Sequence, residues 1–468
     1  MSKGRIKLKV PNTFILIFSL LILFAVMTWI IPGGEYERKE FNGRQIVVPD
    51  SYKQTESHPQ GIIELFKSPI KGFQEAALII GFILITGGAF NVFQRTGAVD
   101  ALIHGMVRAH KRSRLMQKML IPILVTLFSL GGATFGMNEE IIPFVLIFVP
   151  LSLALDYDSV VGVAIPLVGA HIGFASAFLN PFNVGIAQGI AEVKLFSGIE
   201  YRLIVWFLCN AAAIFFIMWY AAKIKKNPSV SPMYEHDLKR KEELKNTAGE
   251  NVHLTLDTAH KFVLAIFVLS LAVLVFGVVY LHWFIEEIAA LFFVMGIIIG
   301  VVGRLKGEEV VKAFIDGAKD LVSTAFVIAL AKATVVIAKD GKIIDTMLYG
   351  LAPLVESSQP FFAAQKMFII QSVINFFIHS GSGQAALTMP IMAPLSDIVG
   401  VTRQTAILAF QLGELTNIII PTSGVTIGAL TMAQVPYEKW AKWALPLMGI
   451  LALLALLLLI PPALIHWQ

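Results

Sequence analysis

The chain repeats itself. Pro150-Leu151-Ser152 and Pro394-Leu395-Ser396 stand 244 residues apart, Glu64 to Gly72 (ELFKSPIKG) matches Glu309 to Gly317 (EVVKAFIDG) at 245, Thr96-Gly97 matches Asp340-Gly341 at 244, and Pro181 matches Pro421 at 240. Both copies are hydrophobic, and both are interrupted by Pro and Gly at matching places. Two such units in one chain are the organisation of a secondary transporter, with the substrate held between the copies.

Apolar residues make up 56% of the chain and charged residues 15%, and the apolar residues fall in runs of about 20, the length that crosses a bilayer. The expected class is therefore an all-α polytopic membrane protein. Net charge is only +5 and the basic residues sit in loops beside apolar runs, which leaves no role for nucleic acid. Cys209, the single cysteine, excludes an intrachain disulfide and reads as a small buried hydrophobe. The start carries Lys3, Arg5, Lys7 and Lys9 before an apolar run from Phe14 to Ile31. That run is longer than the core of a signal peptide and no small-residue cleavage site comes after it, so it is expected to be a first crossing with a cytoplasmic N-terminus in the cell membrane.

Lys and Arg in short loops mark the inner side. Arg95 to Lys118 and Lys223 to Lys261 are basic and should lie inside; Gly33 to Pro69 is balanced and should lie outside. Between the two basic loops the chain must then cross an even number of times. Met119 to Ser129 is short and ends in a Gly-rich stretch, so it pairs with Ile141 to Leu155 as a re-entrant hairpin whose tip is Gly131 to Glu140. Val160 to Ala191 crosses outward, broken at Asn180-Pro181, and Leu203 to Ala222 returns.

In the second half Val263 to Tyr280, Ala289 to Val302 and Leu321 to Ala338 cross in turn. The hairpin Met367 to Val399, with its tip at Ser380 to Gly383, then enters from the opposite side. Ala406 to Val435 crosses, broken at Pro421, before Ala444 to Ile460. The extra crossing gives the repeats inverted topology, each with a re-entrant hairpin and a broken transmembrane helix. Residues 1–222 form the first membrane repeat and 262–468 the second with one extra leading helix. The mixed-charge stretch 223–261 is a solvated cytoplasmic linker.

Non-helical backbone at membrane depth requires protein or a wet cavity around it, so tips and breaks are where chemistry is sought. The first tip holds Asn138, Glu139 and Glu140. An acidic residue at a helix centre in a bilayer costs at least ~2.5–3.5 kcal/mol and needs a cation, a proton or a partner; the bland alternative places the pair at an interfacial helix start. The second tip, Ser380-Gly381-Ser382-Gly383-Gln384, offers small residues and free N–H groups that suit a carboxylate, or is only a turn. The breaks contribute Asn180 and Asn183 in one copy and Thr422 and Ser423 in the other, side-chain oxygens beside a proline that frees a carbonyl, fit for a cation such as Na⁺. Glu414 and Asn417 precede the second break on one helix face, Glu414 serving either as a proton or cation site or as a structural partner. Lys332 either stands in for a bound cation or pairs with a carboxylate such as Glu414, or it snorkels to the surface. His171 reads as a satisfied core histidine. No nucleophile elbow, zinc or P-loop pattern is present, which argues against an enzyme and against primary ATP-driven pumping.

The strings NPFNVGIAQGIAEV (Asn180 to Val193), GSGQAALTMPIMAPLSD (Gly381 to Asp397), TNIIIPTSGV (Thr416 to Val425) and GMNEEIIPF (Gly136 to Phe144) resemble the anaerobic C4-dicarboxylate carrier-like family of the ion transporter superfamily. They are most similar to its branch assigned to arginine/ornithine-type basic amino acid antiport. The resemblance implies two inverted repeats around a central site, and substrate- or ion-binding roles for Asn180, Asn183, Ser382, Gln384, Asn417, Thr422 and Ser423. Two strings depart from the family pattern: Lys332-Ala333 replaces an Arg-Gly pair, and Gly413-Glu414-Leu415-Thr416-Asn417 replaces a Gly-Asp-Gly-type string. Both departures fall near the presumed site, so the exact substrate and ion are not carried over. The expectation is a basic amino acid antiporter without a cofactor, with Na⁺ or H⁺ as the candidate coupling ion. Its rivals are a Na⁺- or H⁺-coupled dicarboxylate carrier and, from another class, an ion channel. The expected partners are a small-molecule substrate and the lipid bilayer, with a homodimer left open.

Overall fold

The structure, a computed structural model, describes residues 13–41, 44–48, 50–249, 257–281, 283, 285–351, 353–356 and 359–467. The basic N-terminal residues Lys3, Arg5, Lys7 and Lys9 lie outside these, as do residues 250–256 of the expected linker.

The long apolar runs are helical, the conformation that satisfies every backbone polar group within the segment. The first half runs through α1 (Thr13–Ile30), then β1 (Gly34–Glu35), β2 (Arg38–Phe41), β3 (Arg44–Val47) and β4 (Lys53–Gln54), with β1 antiparallel to β4 and β2 antiparallel to β3. Next come α2 (Ile62–Glu75), α3 (Ala77–Arg95), α4 (Ala98–Arg112), α5 (Arg114–Thr134), α6 (Val145–Ala154), α7 (Ser159–Ala175), α8 (Ile186–Ile190), α9 (Ile199–Lys226) and α10 (Tyr234–Gly249). The second half comprises α11 (Thr258–Leu281), α12 (Ile285–Val302), α13 (Gly307–Asp320), α14 (Val322–Asp340), α15 (Ile343–Leu351), α16 (Pro353–Glu356), α17 (Pro360–Phe377), α18 (Gly381–Ile398), α19 (Arg403–Gly413), α20 (Gly424–Met432), α21 (Tyr437–Leu458) and α22 (Ile460–Leu464). Among the described residues, 7 helical stretches are long and apolar enough to cross a membrane by length and composition. Large apolar side chains such as Trp29, Phe207, Phe215 and Val301 are exposed on their outer faces, as a lipid-facing surface requires.

The matching segments of the two copies pack crosswise: α2 lies along α14, and α13 lies along α3. Glycine permits both crossings. A Cβ at Gly72 would overlap the Ala329 carbonyl oxygen, and one at Gly317 would stand 2.5 Å from the Gly87 carbonyl oxygen. Further along, α5 and α6 pack on α7, α17 and α18 pack on α19, and α18 crosses to α8 of the other half.

Three expectations shift in detail. The helix starting near Met119 is not short: α5 has 21 residues and continues through Gly131-Gly132 to Thr134. Gly132 serves helix contact rather than a turn, since a Cβ there would overlap the Ala170 carbonyl oxygen of α7, while Gly131 is covered by Phe135 and Met137 of the tip. The chain turns at Phe135 to Asn138, with Gly136 at φ +80°. In the second copy the non-helical residues are Ile378 to Ser380, and Gly381 to Gly383 already form the first turn of α18.

The linker is likewise not wholly solvated. Within α10, Asp237 is buried and accepts the Ser159 backbone N–H at 2.8 Å and the Ser159 hydroxyl, while Arg240 donates to the Ala433 carbonyl at 2.7 Å. The helix thus bridges the start of α7 to the end of α20.

Candidate functional site

Both broken crossings interrupt where proline and capping side chains meet. The helix α7 stops at Ser176, and Asn180 caps the short helical turn over Pro181–Gly185: its Oδ1 accepts the N–H of Phe182 at 2.8 Å and of Asn183 at 3.2 Å, with Pro181 at the first position. Asn180 also donates to the Gly132 carbonyl at 3.1 Å, tying the break to α5. Its polar atoms are thereby engaged in the fold. In the second copy α19 gives way to a 3₁₀ turn over Glu414–Ile418, and Ser423 caps α20 by accepting the Thr426 N–H at 3.3 Å. Thr422 donates to the Phe376 carbonyl at 2.6 Å, fixing this break to the end of α17.

The two tips meet. A cavity of about 90 Å³ is lined by Gly136, Asn138, Glu139 and Glu140 from the first tip and by Ser380, Gly381 and Ser382 from the second, walled by Phe135, Phe174, Phe182 and Trp283. Glu140 accepts the Asn138 N–H at 2.8 Å, which holds the acidic turn in shape. Neither Glu139 nor Glu140 forms an ion pair within 4.0 Å among the described residues.

Behind the second tip lies Glu414, 1% exposed. Its Oε2 accepts from Asn183 Nδ2 at 2.5 Å, joining the two copies. Its Oε1 has no hydrogen-bond partner, and a Cβ on Gly381 would stand 2.9 Å from it. Asn183 also donates to the Phe174 carbonyl at 3.2 Å, leaving its own Oδ1 unpartnered. Asn417 accepts from Asn375 Nδ2 at 3.1 Å and, through its carbonyl, from the Thr426 hydroxyl.

Buried acceptor oxygens without partners recur on the segments around this point: Asn183 Oδ1, Asn375 Oδ1, Gln411 Oε1 and Glu414 Oε1. An unpaired buried acceptor costs about 1–3 kcal/mol, and a set of hard oxygen donors fits a monovalent cation, an ammonium or a proton.

Two expected site residues sit elsewhere. Gln384 turns away from the cavity into the α17–α18 interface, donating to Gln371 Oε1 at 2.7 Å and to the Gln371 carbonyl at 2.9 Å. Ser380 lines the cavity but also caps α18 through the Gly383 N–H at 3.4 Å. Lys332, half-buried on α14, does not pair with Glu414; the carboxylates within its electrostatic range are Glu75 and Glu139. His171 is buried, with Nδ1 at 2.8 Å from the Leu167 carbonyl, and Cys209 is a buried free thiol; both suit the bland reading.

Gln371, Asn375 and Gln411 were not singled out from the sequence. Gln371 and Asn375 are four apart in the apolar stretch Met367 to Phe377, which otherwise carries only Ser372 as a polar residue, and that spacing is the available signal.

Interrupted apolar helices of two matching halves, meeting at a polar cavity within a multi-pass α-helical membrane protein, define a membrane transporter. The chain belongs to the DcuC family, described as C4-dicarboxylate anaerobic carrier, whose profile matches residues 10–462. It is 35% identical over 479 residues to the Escherichia coli protein YfcC, named as a proposed basic amino acid antiporter, covering 94% of this chain and 93% of that one. An uncharacterised Haemophilus influenzae protein is 28% identical over 481 residues, covering 94% of each. Among solved structures, the Neisseria gonorrhoeae efflux pump MtrF aligns with a TM-score of 0.44 at 17% identity, over 97% of this chain and 95% of its own. The Alcanivorax borkumensis transporter YdaH aligns at 0.41 and 15%, over 96% and 98%.

Proposed function

We propose that this transporter exchanges basic amino acids across the cell membrane by alternating access. The observation that carries the reading is Glu414: a buried carboxylate with one oxygen on Asn183 and the other unpartnered beside the second tip. A buried carboxylate without a basic partner calls for a cation or a proton. Glu139 and Glu140 line the cavity on the other side of Gly381 and Ser382, so acids flank the place where a cationic end would sit. The substrate's α-carboxylate is then assigned to the N–H groups that open α18.

The cavity of about 90 Å³ has room for an ion or a few waters, whereas small-molecule pockets run to about 300–1,000 Å³. Loading an amino acid therefore requires the tips to part, which is the motion alternating access needs. The crosswise packing of α2 with α14 and of α3 with α13 supports two inverted repeats over 1–222 and 262–468, linked through 223–261, with α5–α6 and α17–α18 as re-entrant hairpins. In that topology the N-terminus and α10 are cytoplasmic and the strands β1 to β4 lie outside. Na⁺ or H⁺ remains the candidate coupling ion at the breaks.

A second reading is a cation-coupled dicarboxylate carrier. Lys332, a cation within electrostatic range of Glu139, favours it, because a lysine near the cavity helps an anion. Uptake of labelled arginine against labelled succinate in proteoliposomes, with and without internal counter-substrate and Na⁺, separates the two. Saturable arginine counterflow is expected. Succinate uptake without arginine exchange establishes the second reading, and unitary currents without counterflow would indicate a channel.

A further inference from the structure

A second, larger cavity lies on the other side of α18. It measures about 920 Å³, within the size of pockets that hold whole metabolites, and opens beside the strands β1, β2 and β3. Its floor is Gly383, Ala386 and Leu387, from the same two helical turns whose start lines the tip cavity. One helix thus separates a roomy chamber from a tight one.

The chamber is ringed by ion pairs that join α2 and the strand segment to α14 and α15. They differ in distance and exposure. Lys71 meets Asp340 at 2.5 Å, and Arg38 meets Asp345 at 2.9 Å with the carboxylate only 4% exposed. The loosest is Lys339 with Glu75, at 3.2 Å with both side chains about half exposed or more (65% and 48%). Exposed pairs of this kind contribute only about 0.2–1 kcal/mol and exchange partners readily.

Glu75 also faces a second cation. Lys332 lies one helical turn below Val335 and two below Lys339 on the face of α14 that lines the chamber, a spacing of three and seven residues that keeps all three on one side. Lys332 lies within electrostatic range of both Glu75 and Glu139. Glu75 and Lys339 line the chamber and Glu139 lines the tip cavity, so Lys332 interacts with an acid of each.

We propose that the larger cavity is a separate outer binding site for a zwitterion with an additional cationic end, in which Glu75 receives that end in place of Lys339 before the ligand reaches Glu139. The inference rests on the basic amino acid reading. A ligand with both signs of charge can split the Lys339–Glu75 pair, its cationic end meeting Glu75 and its carboxylate meeting Lys339. A dicarboxylate cannot, because the chamber already holds a carboxylate for each of its cations.

The test uses the opposed effects of the two partners. Arginine counterflow is measured with the full-length protein in right-side-out and everted membrane vesicles for the unaltered protein, Glu75→Gln and Lys339→Gln. Removing the receptor should raise KM about two- to fivefold, and removing its competitor should lower KM by a similar factor, given the strength of an exposed pair. Both shifts should appear in one vesicle orientation only. If both variants shift KM in the same direction, the pair is structural and the outer site is overturned; equal shifts from both faces, or none, overturn it as well. Arginine exchange lost in the unaltered protein would remove the transport reading and this site together, whereas intact exchange with unopposed variants removes this site alone.

Discussion

Glu414→Gln changes the charge of the central carboxylate and almost nothing else. Volume is retained, and the glutamine carbonyl can still accept from Asn183 Nδ2, which stands 2.5 Å from Glu414 Oε2 in the native protein. What disappears is a buried acidic group whose Oε1 has no partner of its own. A hydrogen bond to a charged group contributes about 1.5–3 kcal/mol, and each 1.4 kcal/mol is tenfold in affinity. If the substrate's cationic end is held here, KM for arginine should rise about 10- to 150-fold, with the maximal rate changed far less. Counterflow in proteoliposomes measures this, and an unchanged thermal unfolding midpoint shows that the fold survives. Asn183→Ala supplies the control: it leaves both carboxylate oxygens without a donor, so it should lower the midpoint as well as transport, and the double variant should show coupling rather than additivity. A folded Glu414→Gln protein that exchanges arginine with native KM refutes the assignment. A loss of rate and of pH dependence at native KM would instead make Glu414 the proton carrier.

Contacts away from the cavity carry expectations of their own. Gly72→Ala forces a methyl group into the Ala329 carbonyl, so the α2–α14 crossing must open; a loss of about 1–3 kcal/mol should lower the unfolding midpoint, while Gly81→Ala, with nothing within 4 Å of the added carbon, should hold or raise it. Asp237→Ala leaves the buried Ser159 N–H unpaired at a cost of about 1–3 kcal/mol. Trypsin should then cut at Lys239, Arg240 or Lys241 markedly faster, and unaltered cleavage would mean that α10 does not depend on this contact. Burial, and next the Asp345 carboxylate, hold the Tyr36 phenol well above the usual tyrosine range. A raised folded value means that its contribution is whole below about pH 10 and is lost as pH rises beyond it. The unfolding midpoint should therefore fall more steeply above that pH in the native protein than in Tyr36→Phe; identical curves would refute this.

The sequence disclosed the breaks better than the tips, and the reason is physical. Proline within an apolar run removes a donor wherever it falls, so Pro181 and Pro421 mark interruptions without tertiary information. Glycine is ambiguous. Gly131 and Gly132 look like a turn but sit inside α5, where α7 passes against Gly132 and the tip residues Phe135 and Met137 fold back over Gly131, whereas Gly136 takes the positive φ that turns the chain. The orientation of Gln384 depended on Gln371, thirteen residues away on the facing helix. The docking of α10 depended on Asp237 finding Ser159 across 78 residues. Local pattern records neither, since each is set by which helix lies opposite.

That distinction explains why site chemistry departs from the repeat while the skeleton keeps to it. The crossing glycines Gly72 and Gly317 match between copies because both crossings impose the same closeness. The tips carry no such constraint. One has become acidic at Asn138-Glu139-Glu140 and the other neutral at Ser380-Gly381-Ser382, yet both line a single cavity. Equal tips would give that cavity no electrical direction along the line joining them. Unequal ones do: across the cavity the start of α18 faces a pair of carboxylates, while Glu414 lies behind that helix start, against Gly381. A molecule with a carboxylate at one end and a cation at the other then has one favourable orientation, and under the proposed alternating access that orientation is offered whichever side the cavity opens to. An exchanger of like molecules needs that invariance, because the departing and arriving substrates must satisfy the same buried charges in turn.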